Sequence, residues 1–201
     1  MVSSMPRAHA ERGHEGDKMQ HESAMNATLP YRIEPMTPKD LDEVAALEQV
    51  CFSAPWPPRA FRAELGHSYA RYVVLRATAS PAVLGYAGLW LIVDEAHITT
   101  IAVHPAYRRR GLGELLLLHL FDLAAACDVR FLTLEVRIGN RAARGLYRKY
   151  GFHQQGVRRC YYTDTGEDAL IMWSRDLADP AYQRFLQWRR RHLWTRLGAS
   201  T

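Results

Sequence analysis

The chain has 201 residues, 48% of them hydrophobic and 23% charged, enough to bury one core and too few for two. No stretch approaches the roughly 18 apolar residues that cross a bilayer, and residues 1–27 hold no apolar block for export, so a cytoplasmic protein without transmembrane association is expected. The formal charge of +5 is concentrated in residues 178–201, where Arg184, Arg189, Arg190, Arg191 and Arg196 face Asp179 alone. The rest is close to neutral, and any nucleic-acid role belongs to that tail.

Taken in chain order, residues 1–28 mix Gly, Ser, Met, His and both charges without a period, and read as a disordered leader before a domain at 29–177. A strand is predicted at 31–36. Thr37 and Pro38 then cap and open a helix with Leu41, Val44, Leu47 and Cys51 on one face. The run Ser53-Ala54-Pro55-Trp56-Pro57-Pro58 breaks it, and a short helix follows at 59–65. Segments 72–77, 84–93 and 97–103 have strand character, and their short connections make an antiparallel meander.

After His104-Pro105 comes a long helix at 112–127, whose Leu115, Leu116, Leu118, Leu120, Phe121 and Leu123 are too apolar for an exposed position; it must cross the sheet. A strand at 131–136, a helix at 141–150 and two strands at 153–162 and 169–175 complete the domain. The crossover makes strands 97–103 and 131–136 parallel neighbours in an otherwise antiparallel sheet, an α+β fold with a mixed sheet flanked by helices. In the tail, Asp179-Pro180 starts and Gly198 stops a basic amphipathic helix at 178–201. Its apolar stripe is expected to pack on its own domain; a weak ribosome or RNA contact, or a membrane surface, is the other use for its arginines. Cys51, Cys127 and Cys160 are odd in number and irregularly spaced, which fits neither a disulfide framework nor a metal site.

The turn Val103-His104-Pro105-Ala106-Tyr107-Arg108-Arg109-Arg110-Gly111-Leu112-Gly113 joins a strand to a helix. Its glycines let the backbone wrap a ligand, and a helix N-terminus flanked by arginines suits a phosphate. An ordinary turn with solvated arginines would carry the same residues, and neither a Walker loop nor a dinucleotide G-x-G-x-x-G is present. The segment Ile101 to Pro105, followed by Arg108 to Gly113, resembles the acetyl-CoA motif of the GNAT acetyltransferases: Gln or Arg, two variable residues, Gly, one residue, then Gly or Ala. That resemblance implies the GNAT acyl-CoA N-acyltransferase fold, with acetyl-CoA as co-substrate and no metal. It implies that backbone N–H groups of Arg108, Arg109, Arg110, Gly111, Leu112 and Gly113 hold the pyrophosphate. Ile101, Ala102 and Val103 would pair with the pantetheine arm, and the Val103 N–H would polarise the thioester carbonyl.

An α-amine, with a pKa of about 7.7 to 8.0, must lose a proton before it attacks, and the departing thiolate needs an acid. Glu135 lies in the apolar run Phe131-Leu132-Thr133-Leu134-Glu135-Val136-Arg137, so it either pairs with an arginine, Arg137 or another, or faces a wet cleft. Asn140 is a good helix cap and Tyr147 falls two turns later; singly, they also fit a plain cap and a core tyrosine. Together, N-x-x-A-x-x-L-Y-x-x-x-G-F after L-E-V-R resembles the ribosomal-protein-alanine N-acetyltransferase group of that superfamily.

The resemblance implies Glu135 as general base through water, Tyr147 as general acid on the CoA sulfur and Asn140 on the cofactor. The acceptor would be the N-terminal peptide of a ribosomal or other protein. Cys51-Phe52-Ser53-Ala54-Pro55-Trp56, and Arg158 to Tyr162 with Glu167-Asp168-Ala169, match the same group and imply loops closing over the peptide. A small first side chain would sit between Trp56, Tyr161 and Tyr162. Asp94-Glu95-Ala96-His97 is similar too, while Thr99-Thr100 departs from the group's apolar-Asn pair. A small-molecule amine or a lysine as acceptor, and a non-catalytic acetyl-CoA-binding or RNA-binding module, are the alternatives.

Overall fold

A computed structural model describes residues 29–198; the leader expected at 1–28 and the end of the tail lie outside the described residues. The elements are β1 (Tyr31–Pro35), α1 (Leu41–Cys51), α2 (Pro58–Leu65), β2 (Ala70–Ala77), β3 (Val83–Ile92), β4 (Glu95–Val103), α3 (Leu112–Ala125), β5 (Phe131–Arg137), α4 (Arg141–Lys149), β6 (His153–Tyr162), β7 (Glu167–Trp173) and α5 (Pro180–Arg196). One seven-stranded sheet runs β1-β2-β3-β4-β5-β7-β6, antiparallel except for the β4–β5 pair. The helix expected to open at Thr37 starts with a single 3-10 turn, Pro38–Asp40. There the Thr37 N–H and hydroxyl both donate to the Asp40 carboxylate, at 2.7 and 2.9 Å.

Alternation along each strand divides the core between the two faces of the sheet. On one face α3 lies across the strands, with Leu115, Leu116, Leu118 and Phe121 buried against Leu75, Leu89, Leu132 and Leu134. Leu116 is wholly inaccessible, so Leu116→Ala is expected to remove about 2–5 kcal/mol of stability, read as a lower urea midpoint at an unchanged slope. On the other face α1 and α2 bury Leu41, Val44, Leu47 and Phe61 against Tyr72, Val74 and Tyr86. That second cluster takes nothing from β5, β6 or β7, so half of this face stays uncovered.

Two irregularities in β4 open the sheet. Gly88 pairs with Thr100 and Leu89 with Ile98, which leaves Thr99 as an extra residue in β4. Tyr72 keys this bulge: its ring fills the place a Gly88 side chain would need, and its hydroxyl lies 3.1 Å from Thr99 Oγ1. The parallel pairing of β4 with β5 covers only Glu95 to Ile98 against Phe131 to Leu134. Beyond it the two strands diverge, and the cleft between them is where the predicted site residues fall.

Helix α5 forms as expected and packs Tyr182, Leu186 and Leu193 into the α3 side of the core. Its arginines are not all solvated. Arg190 pairs with Asp122 at 2.9 Å, Arg196 pairs with Glu114, and Arg189 stacks on Phe185 and Trp188. Among the described residues no helix is long and apolar enough to cross a membrane.

Candidate active site

The loop after β4 is shaped by backbone conformation before charge matters. Arg109 and Gly111 both take left-handed conformations, φ 65° and 89°, turning the intervening peptide groups inward as a nest at the start of α3. The first-turn N–H groups of α3 have no intrahelical acceptors and add to this anion-binding end. The Arg108 N–H is an exception to the expected set, being bonded to the Pro105 carbonyl at 3.3 Å. Its side chain instead reaches back, donating through Nε to the Val103 carbonyl at 3.0 Å and approaching Cys51 Sγ at 3.5 Å. Arg109, Gly111, Leu112 and Gly113 line a cavity of about 380 Å³ here, whereas Arg110 lies over the Tyr107 ring at 5.2 Å.

Register decides which main-chain groups of β4 are free. The His104 N–H donates to the Leu84 carbonyl at 2.8 Å, so Gly85 and Val103 are a non-hydrogen-bonded pair. By alternation Ile101 is in the same state. The N–H and C=O groups of both residues therefore point away from β3, into the space that β5 has left, where the Val103 carbonyl is taken by Arg108 and the other three are free. Ala102 turns its side chain into the α1–α2 core.

A second cavity, of about 660 Å³, adjoins the first and shares Cys51, Ile101, Asn140 and Tyr147 with it. Asn140 caps α4 by accepting the Ala143 N–H at 3.0 Å. Tyr147, two turns on, is only 8% exposed and packs on Phe152, yet it lines both cavities. Burial, helped by Tyr162 nearby, pushes its phenol above the ordinary value, so it stays protonated. Trp56, Tyr161 and Tyr162 all line the second cavity. Tyr161 and Tyr162 meet edge to face at 5.2 Å, aimed there by a bulge in β6 where Cys160 takes φ 50° and donates its N–H to Asp168. The loops expected to close over a peptide do touch: Ser53 Oγ lies 2.5 Å from Asp164 Oδ2, and Arg137 holds the same carboxylate while covering the Tyr162 ring at 3.8 Å.

Glu135 stands at the junction of this cavity with a third, of about 700 Å³, lined by Trp90, His97, Thr133, Arg158 and Trp173. Of the two readings for Glu135, the structure combines both, with different partners. Arg137 is engaged with Asp164 and Glu167, while His97 Nε2 lies 2.9 Å from one Glu135 oxygen and Arg158 Nε 3.1 Å from the other. The His97 hydrogen bond, outweighing burial and aided by Arg158, holds the Glu135 carboxyl below its usual range. With Nε2–H donating to the carboxylate, His97 Nδ1 is left to accept the Thr133 hydroxyl at 2.9 Å.

Sequence reasoning placed His97 and Arg158 in stretches similar to the group without giving them a role at Glu135, and it missed Glu48. Thr133 shares the Glu135 face by alternation, and its register pairing with His97 is what brings His97 there. Glu48, on α1, is buried and fixes the Trp56 backbone N–H at 3.0 Å, so it sets the course of the loop carrying Trp56. The three cavities form one trench. An anion-binding end leads past an unpaired strand edge to a protonated phenol and then to an ionised carboxylate. That order suits a long phosphate-bearing donor entering from one end and an amine from the other.

Comparisons with known proteins bear on this arrangement. The model of the acetyltransferase (GNAT) family matches residues 41–152. The chain is 41% identical over 160 residues to the N-alpha-acetyltransferase RimI of Mycobacterium tuberculosis, covering 77% of this chain and 98% of the relative. It is 39% identical over 135 residues to the ribosomal protein bS18-alanine N-acetyltransferase of Escherichia coli (strain K12), covering 66% and 89%. The crystal structure of the ribosomal-protein-S18-alanine N-acetyltransferase from Escherichia coli matches with a TM-score of 0.67 at 34% identity, over 74% of this chain and 95% of that one.

Proposed function

This chain belongs to the GNAT acetyltransferase family, and we propose that it transfers an acetyl group from acetyl-CoA to the N-terminal α-amine of a protein, with the N-terminal alanine of a small-subunit ribosomal protein as acceptor. The observation that carries this reading is that Tyr147 and Glu135 line one cavity, continuous with the loop at Gly111. The nest at Arg109 to Gly113 suits a pyrophosphate. The free N–H and C=O of Ile101 and the free N–H of Val103 suit an arm that carries amides of its own.

In this mechanism the α-amine enters unprotonated, and the ionised Glu135 takes up, through a water molecule, the proton that the nitrogen sheds as the amide forms. The neutral nitrogen attacks the thioester carbon while the Val103 N–H stabilises the negative charge growing on the carbonyl oxygen. As the C–N bond forms and the C–S bond breaks, the Tyr147 hydroxyl donates to the departing sulfur, giving CoA thiol and the amide; the phenolate then regains a proton through solvent as Glu135 releases the one it took. No covalent acyl-enzyme is involved. Trp56, Tyr161 and Tyr162 leave room beside the reacting nitrogen for a small first side chain and select against larger ones by size.

The test is CoA release with Ala-starting, Met-starting and N-blocked Lys-containing peptides, repeated across pH. Activity is expected with the Ala-starting peptide alone. Because Glu135 is held below the usual carboxylate range, it is already ionised at neutral pH and its titration leaves no mark there. Log kcat/KM should therefore rise with pH as free amine appears, and level off above an apparent pKa of about 7.7–8.0. Equal turnover of the lysine peptide, or a profile flat from about pH 6 to 9, would count against an α-amine acceptor.

A further inference from the structure

Helix α5 lies C-terminal to the segment that carries the family pattern, yet its last turns end against the arginine loop. The back of Gly111 faces this helix: a Cβ built there would stand 2.9 Å from Leu193 Cδ1, 3.0 Å from Arg196 Nη2 and 3.4 Å from Leu197 Cδ2. The same helix reaches the end of α4, where the Tyr182 hydroxyl donates to the Tyr150 carbonyl at 2.6 Å. The loop and the helix carrying Tyr147 thus rest on one support.

Glu114 sits between them, in the first turn of α3 and on the wall of the loop cavity. Its carboxylate is 2.6 Å from Lys149 Nζ, accepts the Tyr150 hydroxyl at 2.9 Å, and accepts the Arg196 guanidinium. Burial opposes its charge, but the bonds from Lys149, Arg196 and Tyr150 outweigh burial and keep the carboxyl below its ordinary range. A permanent negative charge on the wall of an anion site repels the anion, and partial burial limits screening by salt. Two cations on that carboxylate reverse the sign of the local field.

We propose that α5 is a working part of the cofactor site, with Arg196 a positioning residue that neutralises Glu114, and Leu193 and Leu197 the seat that keeps the left-handed Gly111 loop formed for the pyrophosphate. This rests on the reading of that loop as the phosphate site for acetyl-CoA. The helix cap and the stripe of apolar residues alone would have needed no arginine at position 196.

Calorimetric titration of acetyl-CoA into the full chain, beside steady-state kinetics, tests it. Arg196→Ala is expected to raise Kd and KM for acetyl-CoA about fivefold to tenfold, as removal of one nearby charge does. The peptide KM, and kcat at saturating acetyl-CoA, should stay within about twofold. Adding Glu114→Gln to Arg196→Ala should bring Kd back to within about twofold of the parent, because with Lys149 still in place the cluster regains the net positive charge it has in the parent. Arg196→Lys, which keeps the charge, should bind nearly as the parent does. An unchanged Kd in Arg196→Ala, or no recovery in the double variant, overturns the role of α5 and leaves the proposed activity standing. A parent that binds no acetyl-CoA overturns both.

Discussion

Replacing Glu135 by glutamine is expected to lower kcat/KM for an Ala-starting peptide by about 10²–10⁴-fold, the usual contribution of a positioned general base, with acetyl-CoA affinity unchanged within about twofold. Glutamine keeps the shape and its one carbonyl oxygen can accept from His97 or from Arg158, with the NH2 turned to the other side, so the trench survives while the negative charge and the basic oxygen are lost. The charge matters because it takes the proton that the attacking nitrogen sheds. Stopped assays of CoA release give the rate and calorimetry gives the affinity. A variant retaining a tenth or more of the parental kcat/KM would remove Glu135 from the chemistry. His97→Ala is a milder perturbation of the same carboxylate, since it removes the bond that does most to hold it ionised.

The second large effect is expected at Tyr147. Tyr147→Phe should lower kcat by about 10²–10³-fold with little change in either KM, since the hydroxyl is proposed to act only as the sulfur departs. The ring's packing on Phe152 is preserved, and the hydroxyl borders a cavity, so deleting it leaves no unpaired buried partner. Thermal unfolding should shift by no more than a degree or two, which separates a chemical effect from a folding one. Near-parental kcat in a folded Tyr147→Phe variant would mean that the thiolate leaves with another donor or with none.

How much of this was legible beforehand differs by the range of the interaction. Strand β5 could be read residue by residue: Leu132, Leu134 and Val136 alternate with Thr133, Glu135 and Arg137, and the structure buries the first three against α3 while the others turn to the opposite face. The excess of leucine in α3, the cap at Asn140 and the breaker around Pro55 are equally local signals. What could not be read are matters of register. Arg137 is two residues from Glu135 and looks like its partner. Yet the β6–β7 hairpin brings Asp164 to Arg137, and its β6 strand brings Arg158 to Glu135. The extra residue at Thr99 depends on a tyrosine 27 positions earlier in the chain. The meeting of Arg196 with Glu114 spans 82 positions and follows only from how α5 docks.

The unpaired stretch of β4 has a consequence for how this site can change over time. In the proposed reading, a molecule lying along Ile101 and Val103 is held by main-chain groups that any residue but proline at those positions would also offer. Point substitutions there alter the filling of the α3 interface without removing a donor or an acceptor. The donor side of the trench is thereby insulated from most single mutations. Trp56, Tyr161 and Tyr162 line the trench with their side chains, so on the same reading the acceptor side can drift toward new peptides while the donor stays the same.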